Sequence, residues 1–533
     1  MKQWSEFQQL SEQTSEFQVD LKQLWRGTIE ILMMGAIFGI SYVQRPLYTS
    51  NQNTKFLHGM AQAGLGYLDQ DWLANTINPL PIFTGLVYLT RTFLFPGMFY
   101  VYYGILAGIY SYSLVGIVSK IFSFNTAIYN CIWYGVGSWG RTALPTPTPY
   151  QRAKRCNLTK KLIYFVLFII IHCLEVTILG FKTHISLHYG VAEQYILGDC
   201  FQTSNFGALI LLSIYWFVCG YNWYSILPLT IASTFHPTYL LIAALLTLAY
   251  MISLWRRESN LLKTIGIGGV SLILVLPVVL YSALVLQPTS PEISQQAQSL
   301  LVDRISHHTF PQEWWDSAAL IQTLVVVLAI FLVRKTRLFL ILLIPFGAAV
   351  CATVLQVMTQ NHTLAFLTPW RVSAILVPLS TSIILGWLLN LRFIRFNSVS
   401  NLNQLQRQRL QKQKLQRQKL TIFICCMILS IYVWVGAGEQ IRNLRRQPDY
   451  MPMMAFIYSQ KSPEDLYLVP HTSGRFVEFR LQTGAPILSN YKSHPYKDVE
   501  VLEWHNRQMK AQRYYSPDFQ TTHSQTQIEN QQT

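Results

Sequence analysis

The chain has 533 residues, of which 51% are hydrophobic and only 12% are charged, and its formal net charge is +16. Several uninterrupted apolar stretches reach about 18–20 residues, the length that a membrane-crossing helix needs. These features exclude an ordinary soluble domain and predict an all-α polytopic membrane protein. Basic residues cluster between the apolar runs, as the positive-inside rule expects, so the charge indicates topology and no nucleic-acid partner. The eight cysteines have no metal-ligand spacing and imply no disulfide framework.

The amino-terminal segment 1–26 is polar and rich in Gln and Glu, and the first apolar run begins only near Ile29. This order is typical of an uncleaved first span that leaves the amino terminus in the cytoplasm. We predict about eleven transmembrane helices: 27–44, 97–119, 162–180, three short segments within 204–254, 261–286, 318–333, 338–357, 372–391 and 420–438.

Residues 80–95 are apolar but short, contain Arg91 and are followed by Pro96. A span and an interfacial or re-entrant helix both fit this pattern. We expect an interfacial helix, because a twelfth span would reverse every later loop and place the basic loops outside.

This topology divides the rest of the chain by side. The transmembrane domain, 27–438, would have outer loops at 45–96, 181–204, 287–317 and 358–371. Residues 392–419 hold eight Lys and Arg and no acid, which predicts a cytoplasmic basic loop attracted to anionic membrane lipids.

The carboxy-terminal part, 439–514, would then be extracytoplasmic. The β-like runs DLYLVP (465–470), FVEFRL (476–481) and APIL (485–488) predict a small α/β or irregular domain. The tail 515–533 is rich in Gln and Thr, which predicts disorder.

Two carboxylates in the first outer loop, Asp69 and Asp71, lie beside Trp72 in a chain with few charges. Transfer of a sugar from a lipid phosphate needs a carboxylate near the acceptor hydroxyl, as a general base or as a ligand of a divalent metal. Asp69 and Asp71 could serve in either way, the metal being Mg²⁺ or Mn²⁺, whereas capping of the next turn is the structural alternative.

The same chemistry needs cationic groups for the phosphate, best supplied by Arg and helped by His. The candidates in the outer segments are Arg304, Arg371, His236, His307 and His308. Sugar-stacking faces could come from Trp72, Trp314, Trp315 and Trp370, although interfacial tryptophans are also common as membrane anchors.

In its many spans, its acidic first outer loop (Asp69-Gln70-Asp71) and its carboxy-terminal outer domain, the chain resembles the GT-C superfamily of lipid-phosphosugar glycosyltransferases. Runs along nearly the whole chain look like those of an uncharacterised family of bacterial multi-pass membrane proteins: FLHGMAQAGLGYLDQDWLAN, YGVAEQYILGDCFQTSNFG, STFHPTYLL, RISHHTFPQEWW and VEVLEWHNR. The resemblance implies an inner-membrane glycosyltransferase with a polyprenyl-phosphate sugar donor, in which Asp69 or Asp71 takes the place of the acidic motif.

Two other classes of function fit the sequence. A transporter or lipid flippase would use His172 and Glu175, three residues apart within the predicted span 162–180. A non-catalytic assembly protein would instead bind a partner through its carboxy-terminal domain.

Overall fold

The computed structural model describes residues 21–42, 45–122, 162–167, 169–170, 176–177, 184–185, 187–359, 361–394, 404–446, 448–470 and 476–515. Most of segment 1–26, much of the predicted span 162–180 with His172 and Glu175, part of the basic loop 392–419 and nearly all of the tail 515–533 lie outside the described residues.

The described chain is mostly helical, which confirms the predicted class. Its helices of ten or more residues are Leu21–Ser41, Pro81–Phe93, Met98–Ile121, Gly207–Cys219, Ile226–Phe235, Leu240–Glu258, Leu261–Val285, Pro291–Arg304, Ser317–Leu332, Leu338–Thr359, Ser373–Ile394, Gln404–Arg445, Met451–Gln460 and Asp498–Tyr514. Shorter helices are Gln52–Lys55, Leu57–Gln62, Ser306–Thr309, Pro311–Trp314, His362–Phe366 and Phe479–Thr483. The strands Val176–Thr177 and His184–Ile185 pair antiparallel.

Six helical stretches of the described chain are long and apolar enough to cross a membrane: Met98–Ile121, Pro237–Glu258, Leu261–Val285, Leu338–Thr359, Thr363–Asn390 and Lys419–Arg445. Three more helices are apolar but shorter: Thr203–Cys219, Ile226–Phe235 and Ser317–Leu332. Pro81–Phe93 has 13 residues and so extends about 20 Å, which is short of the apolar thickness of a bilayer.

Close glycine contacts join the first two long helices. A Cβ added at Gly35 would overlap the carbonyl oxygen of Gly104, and one at Gly108 would overlap that of Ile31. Small residues that let backbones meet are the usual device for packing helices inside a membrane. The pair Leu21–Ser41 and Met98–Ile121 therefore forms a tightly packed part of the bundle.

Two segments predicted between spans contain helices. The basic linker, whose composition is compatible with a helix, continues from Gln404 into the last span as one helix, Gln404–Arg445, whose 42 residues extend about 63 Å. The reason is local, because Gln, Lys, Arg and Leu favour helices and no Gly or Pro occurs from 404 to 435. The predicted outer loop 287–317 consists largely of the helices Pro291–Arg304, Ser306–Thr309 and Pro311–Trp314.

In the carboxy-terminal part, the helices Met451–Gln460 and Phe479–Thr483 contribute to a small core of Met454, Val469, Phe479, Ala485 and Ile487. The runs DLYLVP and APIL meet at one isolated parallel bridge, between Tyr467 and Ile487. The strand predicted for FVEFRL is wrong, because this run forms a turn followed by the helix Phe479–Thr483. That helical turn buries Phe479 in the small core and Arg480 against a distant carboxylate, neither of which an alternating pattern reveals.

Candidate functional site

The predicted outer segments and the carboxy-terminal domain are in contact with one another. Arg45 pairs with Asp199, with Nε 2.5 Å from Oδ2. Arg304 donates from Nε to the backbone oxygen of Tyr491 at 2.8 Å. Arg371 lies 3.0 Å from His236. These three contacts join six separate parts of the sequence in pairs.

Asp71 is fully buried, and all the groups that contact its carboxylate are donors. Arg480 Nε donates to Oδ2 at 2.8 Å, and the backbone nitrogen of Ile487 donates to the same oxygen at 3.0 Å. The backbone nitrogen of Leu73 donates to Oδ1 at 2.9 Å. Asp71 therefore anchors the carboxy-terminal domain on the first outer segment and is not free to accept a substrate proton in this arrangement.

Asp69 has a different environment, although it lies only two residues away. Its side chain is exposed, and its backbone oxygen accepts a hydrogen bond from Asn75 Nδ2 at 2.6 Å. Across the described residues, no hydrogen bond or ion pair engages the Asp69 carboxylate. The two aspartates predicted as a pair therefore differ in availability, and only Asp69 is open to solvent.

The aspartate pair does not fit a divalent metal. The Asp71 oxygens face a guanidinium and two backbone N–H groups, which leaves Asp69 without a second carboxylate ligand. No group of three or more His, Cys, Asp or Glu residues in the described part of the chain could hold a metal ion.

Arg371 and His236 meet at the ends of helices. His236 follows the helix Ile226–Phe235 and precedes the helical turn Pro237–Tyr239, and it is only 6% exposed. Arg371 lies in the turn Pro369–Val372, just before the helix Ser373–Ile394. Its Nη1 donates to His236 Nε2 at 3.0 Å and approaches Thr238 Oγ1 at 3.3 Å. No carboxylate among the described residues forms an ion pair with this guanidinium.

A small pocket lies beside this region, between the first outer segment and the carboxy-terminal domain. Its volume is about 20 Å³, which is room for roughly one water molecule. It is lined by Thr54, Lys55, His58, Leu73, Thr76, Ile77, Asn78, Pro79, Leu80, Thr84, His494, Pro495 and Tyr496. Asp69, Asp71, Arg304, Arg371 and His236 do not line this pocket.

Lys55, His58, His494 and Tyr496 were missed by the sequence reasoning. Lys55 Nζ donates to the Tyr496 hydroxyl at 2.6 Å and lies 5.1 Å from the ring centre. Burial lowers the pKa of His58, and burial with the charges of Lys55 and Arg304 lowers the pKa of His494 to about 4. The sequence feature that could have identified His494 and Tyr496 is the run YKSHPYK at 491–497, which is basic and contains no acid.

The two adjacent histidines have separate environments. His308 Nδ1 lies 2.8 Å from the backbone oxygen of Ala192, and its ring centre is 4.0 Å from that of the exposed His307. Burial, helped by the charges of His307, Arg371 and Arg304, lowers the pKa of His308 to about 4. Since its pKa is about 4, His308 is neutral at pH 7. In this form it donates a hydrogen bond from Nδ1 to the backbone oxygen of Ala192.

The tryptophans predicted as sugar faces are mostly engaged by protein. Trp314 and Trp370 are buried with ring centres 5.8 Å apart. Trp72 is half-buried, and the guanidinium of Arg507 lies 4.5 Å from its ring centre. Trp315 is 52% exposed.

Comparisons with known proteins concern the carboxy-terminal domain. No curated protein and no solved structure matches the chain. Residues 448–510 match a family model described as a domain of unknown function, DUF6798. This matched stretch contains Arg480, which binds Asp71, and the segment that carries Tyr491, His494 and Tyr496, so the part of the chain that resembles DUF6798 is the part that covers the outer segments.

Proposed function

We propose that this chain is a multi-pass membrane glycosyltransferase of GT-C type, which transfers a sugar from a polyprenyl-phosphate donor at the extracytoplasmic face of the bacterial inner membrane. The observation that supports it best is Arg371, whose guanidinium contacts the neutral partners His236 and Thr238 and no carboxylate among the described residues. The side chain is half-buried and its Nε is a buried donor without a partner, and such a donor is costly to leave without an acceptor. A donor phosphate would supply that acceptor, and arginine binds phosphate with directed, charge-assisted hydrogen bonds.

The proposed reaction inverts the sugar's anomeric centre. The oxygen of an acceptor hydroxyl attacks the anomeric carbon, and the bond from that carbon to the phosphate oxygen breaks. The bonding electron pair leaves with the lipid phosphate, and the hydroxyl proton passes to the carboxylate of Asp69. We assign the base to Asp69 because Asp71 already accepts three hydrogen bonds.

The test uses the full chain in lipid nanodiscs, a panel of radiolabelled polyprenyl-phosphate sugars as donors, and a membrane extract as the source of acceptors. Arg371→Gln should lower transfer by about 10²-fold, as loss of a charge-stabilising donor typically does. Arg371→Lys should recover only part of the rate, because a lysine cannot reproduce the planar fork. Arg334→Gln is the matched control, since Arg334 is an exposed arginine at a helix end.

Wild-type transfer by a folded Arg371→Gln protein would refute the assignment of Arg371. A flux of lipid or solute that is lost in Glu175→Gln and kept in Asp69→Asn would favour the transporter or flippase class instead.

A further inference from the structure

Two buried N–H donors without acceptors adjoin each other at Arg371 and His236. The arginine is always protonated, so in the bond between them Arg371 Nη1 donates and His236 Nε2 accepts. The histidine proton must then lie on Nδ1. Both His236 Nδ1 and Arg371 Nε are buried atoms for which no partner exists among the described residues. Buried donors are rarely left unpaired, and an oxyanion supplies the acceptor oxygens that both lack.

The surrounding charges have the same sign. Lys55 and Arg304 both contact segment 490–497, at Tyr496 and at Tyr491. Burial, with the charges of Arg371 and Lys55, lowers the pKa of His236, and burial with the charges of Lys55 and Arg304 lowers that of His494. Lys55 itself donates to a phenol, that of Tyr496, and Arg304 donates to backbone oxygens. Most acids of this region have partners: Asp71 binds Arg480, Asp199 binds Arg45, and Asp498 accepts from Thr289 and lies 3.7 Å from Lys497. Glu500 accepts from the backbone nitrogen of Ile77 through Oε1, and its Oε2 has no hydrogen-bond partner among the described residues.

The carboxy-terminal domain closes this region with another basic surface. Residues 490–497 read NYKSHPYK and contain no acid. Thr54 Oγ1 lies 2.8 Å from Ser493 Oγ, and Lys492 Nζ lies 3.4 Å from Ser50 Oγ. Lys497 is offset by Asp498, 3.7 Å away. Lys55 and Lys492, on the two sides of this contact, form no ion pair among the described residues, so their proximity costs Coulomb energy that a bound anion would offset.

From the unpaired donors and the like-charged interface, we infer that Arg371, His236 and Lys55 bind a phosphate or pyrophosphate group, and that segment 490–497 closes over it. Segment 490–497 belongs to the stretch that resembles DUF6798, so this stretch would form one wall of the anion site. This inference rests on the proposed function only in taking the anion to be the donor's phosphate. Binding and docking are linked, because an anion that prefers the closed arrangement must stabilise it.

The experiment titrates the full chain in lipid nanodiscs with inorganic pyrophosphate and follows the thermal unfolding midpoint and amide hydrogen exchange across 490–497. We expect a rise of the midpoint and slower exchange in that segment, beyond the effect of sodium chloride at equal ionic strength. Lys55→Met and Arg371→Lys should each weaken the apparent affinity at least tenfold. Lys461→Met is the matched control and should bind like wild type, because Lys461 directly follows the helix Met451–Gln460 and its ammonium group interacts with the nearby Tyr458.

A second arm separates the two sources of phosphate. Nanodiscs with and without polyprenyl phosphate are compared in the absence of pyrophosphate. Protection of 490–497 by the lipid alone, or by pyrophosphate alone, supports the site and identifies its source. The inference is overturned if neither ligand protects the segment, or if Lys55→Met and Arg371→Lys bind as tightly as wild type. Anion binding without sugar transfer would refute the proposed enzyme and keep the site, whereas transfer without anion-dependent protection would refute only the site.

Discussion

Asp71 and Arg480, 409 residues apart in the chain, form an ion pair in which the carboxylate is 0% and the arginine side chain 4% exposed. The pair joins the first outer segment to the domain that resembles DUF6798. Because backbone N–H groups of Leu73 and Ile487 complete the coordination of Asp71, the carboxylate organises both sides of the junction.

The first prediction concerns removal of one partner. Arg480→Met leaves a buried carboxylate without its counter-charge, which typically costs about 3–5 kcal/mol. We expect a clear fall of the thermal unfolding midpoint, measured on the purified full chain. Glu503→Gln is the control, because the Arg507–Glu503 pair lies on a partly exposed helix surface and such pairs contribute about 0.3–0.5 kcal/mol. Equal midpoints for Arg480→Met and Glu503→Gln would show that the buried pair does not hold the domain.

A second junction depends on glycine. Gly66 and Gly484 both have positive φ, at +57° and +66°, and the backbone nitrogen of Tyr67 donates to the Gly484 oxygen at 2.8 Å. A Cβ on Gly66 would overlap that same carbonyl oxygen. The two backbones can therefore meet only where position 66 has no side chain.

We predict that Gly66→Ala separates the two segments. Gly64→Ala is a close control, because Gly64 also has positive φ, at +71°, but a Cβ there would meet nothing within 4 Å. Each substitution should lose roughly 1–2 kcal/mol from the left-handed backbone. Gly66→Ala should lose a further 1–3 kcal/mol or so from the overlap. Faster hydrogen exchange around Gly484 should follow only in Gly66→Ala, and equal exchange in both variants would contradict the close approach.

Hydropathy was sufficient to locate most of the long helices, because a membrane-crossing helix satisfies its hydrogen bonds within itself and its signal is local. The predicted span 261–286 corresponds to Leu261–Val285, and 97–119 to Met98–Ile121. The end of the helix at Phe235 was also predictable from the sequence, because a proline at position 237 disfavours continuation of the helix that precedes it.

The site was less predictable, because its contacts join distant parts of the sequence. Nothing local to Asp71 indicates that Arg480 occupies its carboxylate, and nothing local to His236 indicates Arg371, 135 residues away. Grouping residues by predicted membrane side placed Arg371 and His236 in one candidate set, and the two lie 3.0 Å apart. The grouping could not distinguish Asp69 from Asp71, because their predicted side is the same and they differ in burial.

The third prediction separates those two aspartates. Asp69→Asn should abolish most sugar transfer without moving the unfolding midpoint, because its exposed carboxylate forms no hydrogen bond or ion pair with the other described residues. Asp303→Asn is the matched control, as Asp303 is an exposed aspartate on Pro291–Arg304, and it should keep full transfer and stability. Sugar transfer at the wild-type rate in Asp69→Asn would show that Asp69 is not the base. The next candidate would be His58, which lines the pocket of about 20 Å³ described above.

The last prediction concerns pH. Burial, with the charges of Lys55 and Arg304, holds the pKa of His494 near 4, whereas an unfolded chain has a histidine pKa of about 6.5. Between these two values the unfolded state binds more protons, so stability falls as the pH drops from about 6.5 to about 4 and is fully present above that window. Around His494 lie the rings of Tyr496 and Trp504. The Pro495 carbonyl oxygen, 3.0 Å from Nδ1, favours the protonated ring, but burial and the charges of Lys55 and Arg304 outweigh it and the pKa stays near 4.

We therefore expect acid to weaken the contact between segment 490–497 and the rest of the protein. Hydrogen exchange across 490–497 should accelerate between pH 6.5 and pH 4.5, after correction for the intrinsic pH dependence of exchange. His494→Gln should flatten this change, since glutamine keeps a polar side chain but does not titrate. His308→Gln should leave the exchange profile of 490–497 as steep as in the wild type, because His308 contacts Ala192 instead of this segment. A pH profile that is equally steep in wild type and His494→Gln would mean that protonation of another group opens the junction.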